Sequence, residues 1–194
     1  MKIKNNPQGS DAWKADRMGR MTASHAQAIQ GKGKGLETYV YQKVAERISG
    51  KIEDKYSNPD MERGNELENT ARVSYEMETG NKVEQVGFCE LNENIGASPD
   101  GFIGKDGLIE IKCPRDYNYV RVLFTNEVSK EYQWQIQMQL YITDRKWCDY
   151  VVFHENFNNL IIIRVKRDEE MIEKIKEGLA SGVKMIKKIL KKVA

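Results

Sequence analysis

The amino-acid sequence predicts an α/β fold, on three observations. Stretches of helical periodicity alternate with short runs rich in β-branched and aromatic residues, the pattern of helices packed on a sheet. The 194 residues can bury a real core, yet are few for two domains. No internal repeat, low-complexity stretch or linker divides the chain. The expected organisation is one domain over residues 1–194, with N-terminal helices in 9–50, a core in 58–166 and a C-terminal helix in 168–194.

The elements follow in order. Ser10 is placed to cap a short helix over 10–18, and Thr22 starts a second. Residues 36–48 keep helical periodicity and Gly50 stops them. A helix from about 61 to 79 follows Asn58 and Pro59 and is closed by Gly80. Residues 83–91 read as a strand, with further strands near Gly96, over 101–103 and over 108–112. Residues 131–143 are helical, and two β-rich runs, 147–154 and 160–165, are joined as a hairpin across 155–159. The last helix carries Ile172, Ile175, Leu179, Val183, Ile186, Leu190 and Val193 as an apolar stripe, opposite Lys184, Lys187, Lys188, Lys191 and Lys192. That basic face reads first as a solvated surface, and second as a subunit or DNA-backbone contact.

Composition excludes several classes. Hydrophobic residues make up 40% and charged residues 31%, as in a globular protein. No apolar run nears the ~18 residues of a membrane span, and the first residues lack a signal-peptide core. Cys89, Cys113 and Cys148 are odd in number and widely spaced, which indicates neither a zinc site nor a disulfide framework and fits a reducing cytoplasm. A net charge of only +2 means that any nucleic-acid surface is local.

The chemistry concentrates in residues 97–114. Asp100 follows Pro99, and Glu110 and Lys112 stand two apart in a short apolar strand, so they share a face. Two hard oxygen ligands beside an ammonium suit Mg²⁺ next to a phosphate. The same residues also fit a Pro-Asp-Gly turn and the solvent face of an edge strand. Glu68, at helical spacing from Ala71 and Tyr75, brings a carboxylate partly inward. It needs a partner, either a metal ion or Arg63 or Arg72 on its own helix. In the glutamine-rich helix, Gln137 and Tyr141 share a face, and an amide can hold a water or a phosphate oxygen. His25 and His154 read as structural or exposed, with His25 next to Ser24.

Five ordered motifs, at residues 9–24, 63–69, 98–101, 110–114 and 135–141, resemble the phage lambda-type exonucleases, also called the YqaJ viral recombinase family, of the restriction-endonuclease-like nucleases. The resemblance implies a restriction-endonuclease-like core, a central mixed β-sheet flanked by helices. It implies Asp100 and Glu110 as metal ligands, with the Ile111 carbonyl and Glu68 completing the shell. Lys112 would orient the attacking water, and Gln137, with Tyr141, would be the active-site glutamine. Arg17, Thr22 and Ser24 match a pocket for the 5′-terminal phosphate, and Met61 falls near an apolar wedge that splits the terminal base pair.

The function implied is Mg²⁺-dependent 5′→3′ digestion of double-stranded DNA ends, leaving 3′ single strands for recombination. Mn²⁺ would substitute, and two ions per site are expected. The resemblance also implies a ring-shaped trimer around DNA, a single-strand annealing protein as partner and a cytoplasmic location. The alternatives are an endonuclease of the same superfamily, which needs no 5′-phosphate pocket, and a non-catalytic module that binds DNA ends or an annealing protein.

Overall fold

The computed structural model describes residues 1–52 and 59–193, with the side chains of 59–61 and 65 outside the described set. Its centre is a five-stranded mixed sheet in the order β3(Val83–Glu84), β6(Gly101–Ile103), β7(Gly107–Lys112), β8(Trp147–Val152), β9(Ile161–Lys166). Only β7 and β8 run parallel, Glu110 opposite Tyr150, and a parallel pair needs a long crossover. That crossover is α5(Asp116–Thr125) and α6(Lys130–Thr143). β8 and β9 are antiparallel, as expected of the hairpin. β7 lies between two neighbours and is not an edge strand, so its alternation is set by burial on both faces.

A second, four-stranded sheet has the order β1(Lys2–Lys4), β4(Phe88–Asn92), β5(Ile95–Ala97), β2(Met21–Thr22). The sequence does not predict it. The run 83–91, expected as one strand, is split between the two sheets at Gly87. A Cβ there would stand 2.3 Å from the Asn6 carbonyl and 2.4 Å from that of Lys4, so the break lies where the N-terminal strand crosses the chain.

The helices follow their signals more closely. The Ser10 hydroxyl accepts from the Trp13 N–H at 3.2 Å and caps α1(Asp11–Arg17). Thr22 leads into a 3₁₀ turn, Ala23–His25, that continues as α2(Ala26–Gly31). α3(Lys34–Ser49) ends at a left-handed Gly50, and α4(Pro59–Thr79) is followed by Gly80 at φ 72°. α5 was not foreseen, because its Tyr, Val and Phe residues favour strands. Packing decides it: Tyr119 and Val122, at helical spacing, are buried, and the Tyr119 hydroxyl donates to the Asn159 carbonyl at 2.5 Å.

Two apolar clusters hold the layers together. The larger joins Leu108, Cys148 and Tyr150 to Ile136, Met138 and Leu140 of α6, and reaches Ile29, Leu36, Ile175, Leu179 and Ile186. The smaller packs Ala71 and Tyr75 of α4 on Ile109, Ile111 and Val151. β7 therefore presents Leu108, Glu110 and Lys112 to the α6 side, and Ile109 and Ile111 to α4. The final helix, α7(Glu169–Val193), buries its stripe from Ile172 to Ile186 and leaves Val193 exposed. Gly178 lets it approach α2: a Cβ would sit 2.1 Å from the Ile29 carbonyl oxygen. No described helix is long and apolar enough to cross a membrane.

Candidate active site

Strand β7 delivers the first two groups. Its alternation puts Glu110 and Lys112 on one face, and Lys112 Nζ meets Glu110 Oε1 at 2.5 Å. The Lys112 ammonium also lies 5.0 Å from the Tyr132 ring centre. Asp100 stands just before β6, beside the same strand, and its Oδ2 accepts the Ile111 N–H at 2.6 Å. Asp100, Glu110, Ile111 and Lys112 thus converge as the sequence predicts.

Glu68 reaches the cluster from α4, the helix on the opposite face of β7. Its carboxyl is pushed above the usual range by burial and by the Glu110 charge. The Lys112 and Arg72 charges offset part of this, yet among the described residues neither helix arginine forms an ion pair with Glu68: Arg72 lies 3.8 Å from Glu76, and Arg63 bonds to Glu155 and to the carbonyls of Cys113 and Pro114. Asp100 is raised further, by burial first and then by Glu110, and the Ile111 N–H offsets only part of this. For Lys112 burial works downward, but Glu110 and Asp100 outweigh it and hold the ammonium charged.

Three carboxylates therefore share one ammonium, in a site with a deficit of positive charge. Among the described residues, no three His, Cys, Asp or Glu side chains already converge as a finished cation cage. The donors are all carboxylate oxygens, so the residues fit a hard divalent cation such as Mg²⁺ or Mn²⁺ and do not suit a soft one. Asp100, Glu110 and Glu68 would hold it.

Helix α6 contributes two glutamines, and they are not the expected one. Gln135 Nε2 donates to Glu110 Oε1 at 2.5 Å, and Gln139 Nε2 to Glu110 Oε2 at 2.7 Å. With Lys112, three donors hold this buried carboxylate in place. Gln137 is not part of the cluster. It spans the turn from β9 to α7, donating to the Lys166 carbonyl at 2.8 Å and accepting the Asp168 N–H at 2.9 Å. Tyr141, one turn on, faces α7, with Lys176 Nζ 5.9 Å from its ring centre. It lines a cleft of about 520 Å³ with Leu179, Val183 and Lys187. Glutamines alternate at 133, 135, 137 and 139, so only the helix's rotation about its axis selects which pair meets Glu110.

A second polar centre adjoins the first. Arg17 Nη1 donates to Ser98 Oγ at 2.9 Å and Nη2 to Thr22 Oγ1 at 3.5 Å, while the guanidinium lies 4.4 Å from the Trp13 ring centre. Thr22 Oγ1 is 3.3 Å from Ser24 Oγ, which is 3.2 Å from His25 Nδ1. The His25 ring stacks on Tyr39 at 4.0 Å, and the Tyr39 hydroxyl accepts the Thr22 N–H at 3.0 Å. Arg17, Thr22 and Ser24 are brought together as expected. Burial lowers the Arg17 pKa, and among the described residues no carboxylate forms an ion pair with it. A half-buried guanidinium ringed by hydroxyls calls for an anion. Ser98, which also accepts from Trp13 Nε1 at 3.0 Å, was not singled out from sequence. The Met61 side chain lies outside the described residues.

A family model described as a YqaJ-like viral recombinase domain matches residues 12–146. The chain is similar to an alkaline exonuclease, LHK-Exo, from Laribacter hongkongensis, with 31% identity over 95% of this chain and 96% of that one and a TM-score of 0.89. The complex of LHK-Exo with dAMP matches at 32% identity, the same coverage and TM-score 0.89. A phage-related exonuclease from Haemophilus somnus 129PT, 17% identical, shares the fold at TM-score 0.72 over 90% of this chain and 96% of that one. No curated protein sequence matches significantly.

Proposed function

The chain belongs to the YqaJ-like viral recombinase domain family, and from that premise we propose that it is a Mg²⁺-dependent exonuclease that digests double-stranded DNA from 5′ ends and leaves 3′ single strands for recombination. One observation carries the reading. The anion pocket and the acid cluster sit at the two ends of one tripeptide: Ser98 accepts from Arg17, and Asp100 belongs to the acids. Two residues of chain span at most about 7 Å, so a 5′-phosphate held at Arg17 places the next phosphodiester near Asp100. An endonuclease needs no such grip. The product would be a 5′-mononucleotide, and dAMP, found with the relative LHK-Exo, is of that class.

The chain's residues divide the work. Arg17 binds the terminal phosphate by its planar donors, with Thr22 and Ser24 hydroxyls around it. Lys112 holds positive charge where a water loses its proton, and so favours hydroxide. Gln135 and Gln139 keep Glu110 aimed at the site. Bound Mg²⁺, with Mn²⁺ as substitute and two ions per site, would lower the pKa of a water and offset charge on the phosphate and the departing 3′-oxygen. Water adds to phosphorus, the 3′-oxygen leaves and takes up a proton, and the released nucleotide keeps its 5′-phosphate.

The test is digestion of end-labelled linear duplex bearing 5′-phosphate or 5′-hydroxyl, beside a closed circle. Linear DNA should be consumed, phosphorylated ends faster, and the circle spared; a cut circle would favour the endonuclease. Arg17→Ala should bring the rate on phosphorylated ends down toward the hydroxyl-end rate. Arg17→Lys should recover only part, because the planar fork is lost. An unchanged ratio between the two ends in Arg17→Ala would remove the pocket from the mechanism.

The family reading also proposes a closed trimer around DNA and an annealing protein as partner. Light scattering should show the trimer. A monomer that digests long tracts per encounter would overturn the ring.

A further inference from the structure

We propose that Arg63 is a positioning residue for this reaction: it clamps the first turns of α4 to the exit of β7 and thereby sets where Glu68 stands against Asp100 and Glu110. The inference rests on the nuclease reading and extends it to a residue that touches neither metal nor DNA.

Helix α4 is anchored at its C-terminal half. Ala71 and Tyr75 are buried on β7 and β8, and the Tyr75 hydroxyl donates to Asp149 Oδ2 at 2.6 Å. Glu68 lies mid-helix, one turn before Ala71, and the neighbouring acids repel it. The half of the helix that precedes this repelled carboxylate needs a tether of its own. Arg63, five residues before Glu68, supplies it. Its Nη1 donates to the Cys113 carbonyl at 2.9 Å and to the Pro114 carbonyl at 3.1 Å, the two carbonyls that directly follow Lys112. Its Nε donates to Glu155 Oε1 at 3.0 Å, and Nη2 donates to the other oxygen of the same carboxylate.

Glu155 is itself placed. It follows His154, whose Nε2 lies 2.7 Å from Asp116 Oδ1 at the start of α5, and whose Nδ1 accepts the Asn156 N–H at 3.1 Å. One guanidinium therefore ties α4, the turn from β7 to α5, and the loop from β8 to β9. The geometry uses the planar fork fully: one edge grips a carboxylate and the remaining nitrogen two carbonyls. A lysine ammonium cannot satisfy both. Arg63 makes no ion pair with Glu68, Asp100 or Glu110 among the described residues, so its effect on them passes through the backbone.

Five variants test this: Arg63→Ala, Arg63→Lys, Glu155→Gln, Glu68→Gln, and Arg63→Ala combined with Glu68→Gln. Three quantities are read: kcat and KM on 5′-phosphorylated duplex, calorimetric Mn²⁺ affinity without DNA, and the melting temperature. Arg63→Ala should lower kcat about 100-fold with KM unchanged, since misplacement of the order of an ångström costs that much. Mn²⁺ binding should weaken roughly 10-fold, as when a group that orients a ligand is lost. Arg63→Lys should recover little. Glu155→Gln should fall between, because the carbonyl bonds survive. On the Glu68→Gln background, removing Arg63 should add almost nothing.

Arg63→Lys carries the test if Arg63→Ala does not fold. A lower melting temperature with wild-type kcat and Mn²⁺ affinity would make Arg63 a stabilising residue only and overturn the proposal. So would a rise in KM alone, which marks a DNA contact, or full additivity with Glu68→Gln. Absence of Mn²⁺ binding in the wild type would instead overturn the metal reading of the site.

Discussion

Asp100→Asn should lower cleavage of linear duplex by about 1000-fold or more while the protein remains folded, because in the proposed mechanism it removes a metal ligand worth several kcal/mol, and each 1.4 kcal/mol is tenfold in rate. The side chain keeps its volume, so no cavity forms. Its stability should rise. Burial and the Glu110 charge hold the Asp100 pKa well above the usual carboxylate range, so at neutral pH its ionisation opposes folding. A neutral amide relieves that cost, and the melting temperature should increase as activity disappears. Glu110→Gln should be equally inactive but less stable. Its carboxylate accepts from Lys112, Gln135 and Gln139, and an amide oxygen and nitrogen cannot accept from all three. Near wild-type cleavage by either variant, with Mg²⁺ or Mn²⁺, would end the nuclease assignment.

Lys112→Ala should lower kcat by two to three orders of magnitude, on the order of 3–4 kcal/mol of transition-state stabilisation, as for other preorganised electrostatic groups. It should also destabilise the fold. The folded-state pKa of Lys112 is raised above the ordinary lysine value of 10.5, which means that the folded protein binds this proton more tightly than the unfolded chain. Such a contribution is fully present below pH 10.5 and fades only as the pH climbs toward the raised value. At neutral pH the variant therefore loses all of it and leaves Glu110 beside Asp100 without their cation. Melting scans at pH 7 should show the loss, and end-labelled duplex should show the drop in rate. A Lys112→Ala enzyme with near wild-type kcat would remove the ammonium from the chemistry.

Much of the site was legible because its logic is local. The two-residue spacing of Glu110 and Lys112 in a strand requires that they share a face, wherever the strand lies. Likewise Arg17, Thr22 and Ser24 fall within eight residues around one short helix and the turn after it, so few arrangements separate them. Glu68 was assigned to an inward position by its spacing from Ala71 and Tyr75, and both of those residues are buried.

What stayed hidden depended on distant partners. The alternating glutamines of α6 offer two faces, and their own periodicity does not rank them. Gln135 and Gln139 meet Glu110 only because Ile136, Met138 and Leu140 rotate the helix into the core, and this turns Gln137 and Tyr141 toward α7. The second sheet, the split of the run 83–91 at Gly87, and the α5 helix arise in the same way, from chain segments far apart in sequence.

By itself, then, the sequence determined the α/β class, the helix caps at Ser10, Gly50 and Gly80, and the pairing of acid and ammonium on β7, because each follows from propensity and spacing within a few residues. Only the tertiary structure decided which glutamines hold Glu110, that Ser98 couples the Arg17 pocket to Asp100, and that Arg63 spans three elements around the exit of β7. Those contacts join residues 25 to 92 positions apart, and no local rule encodes a hydrogen bond whose two partners meet only when the core closes between them.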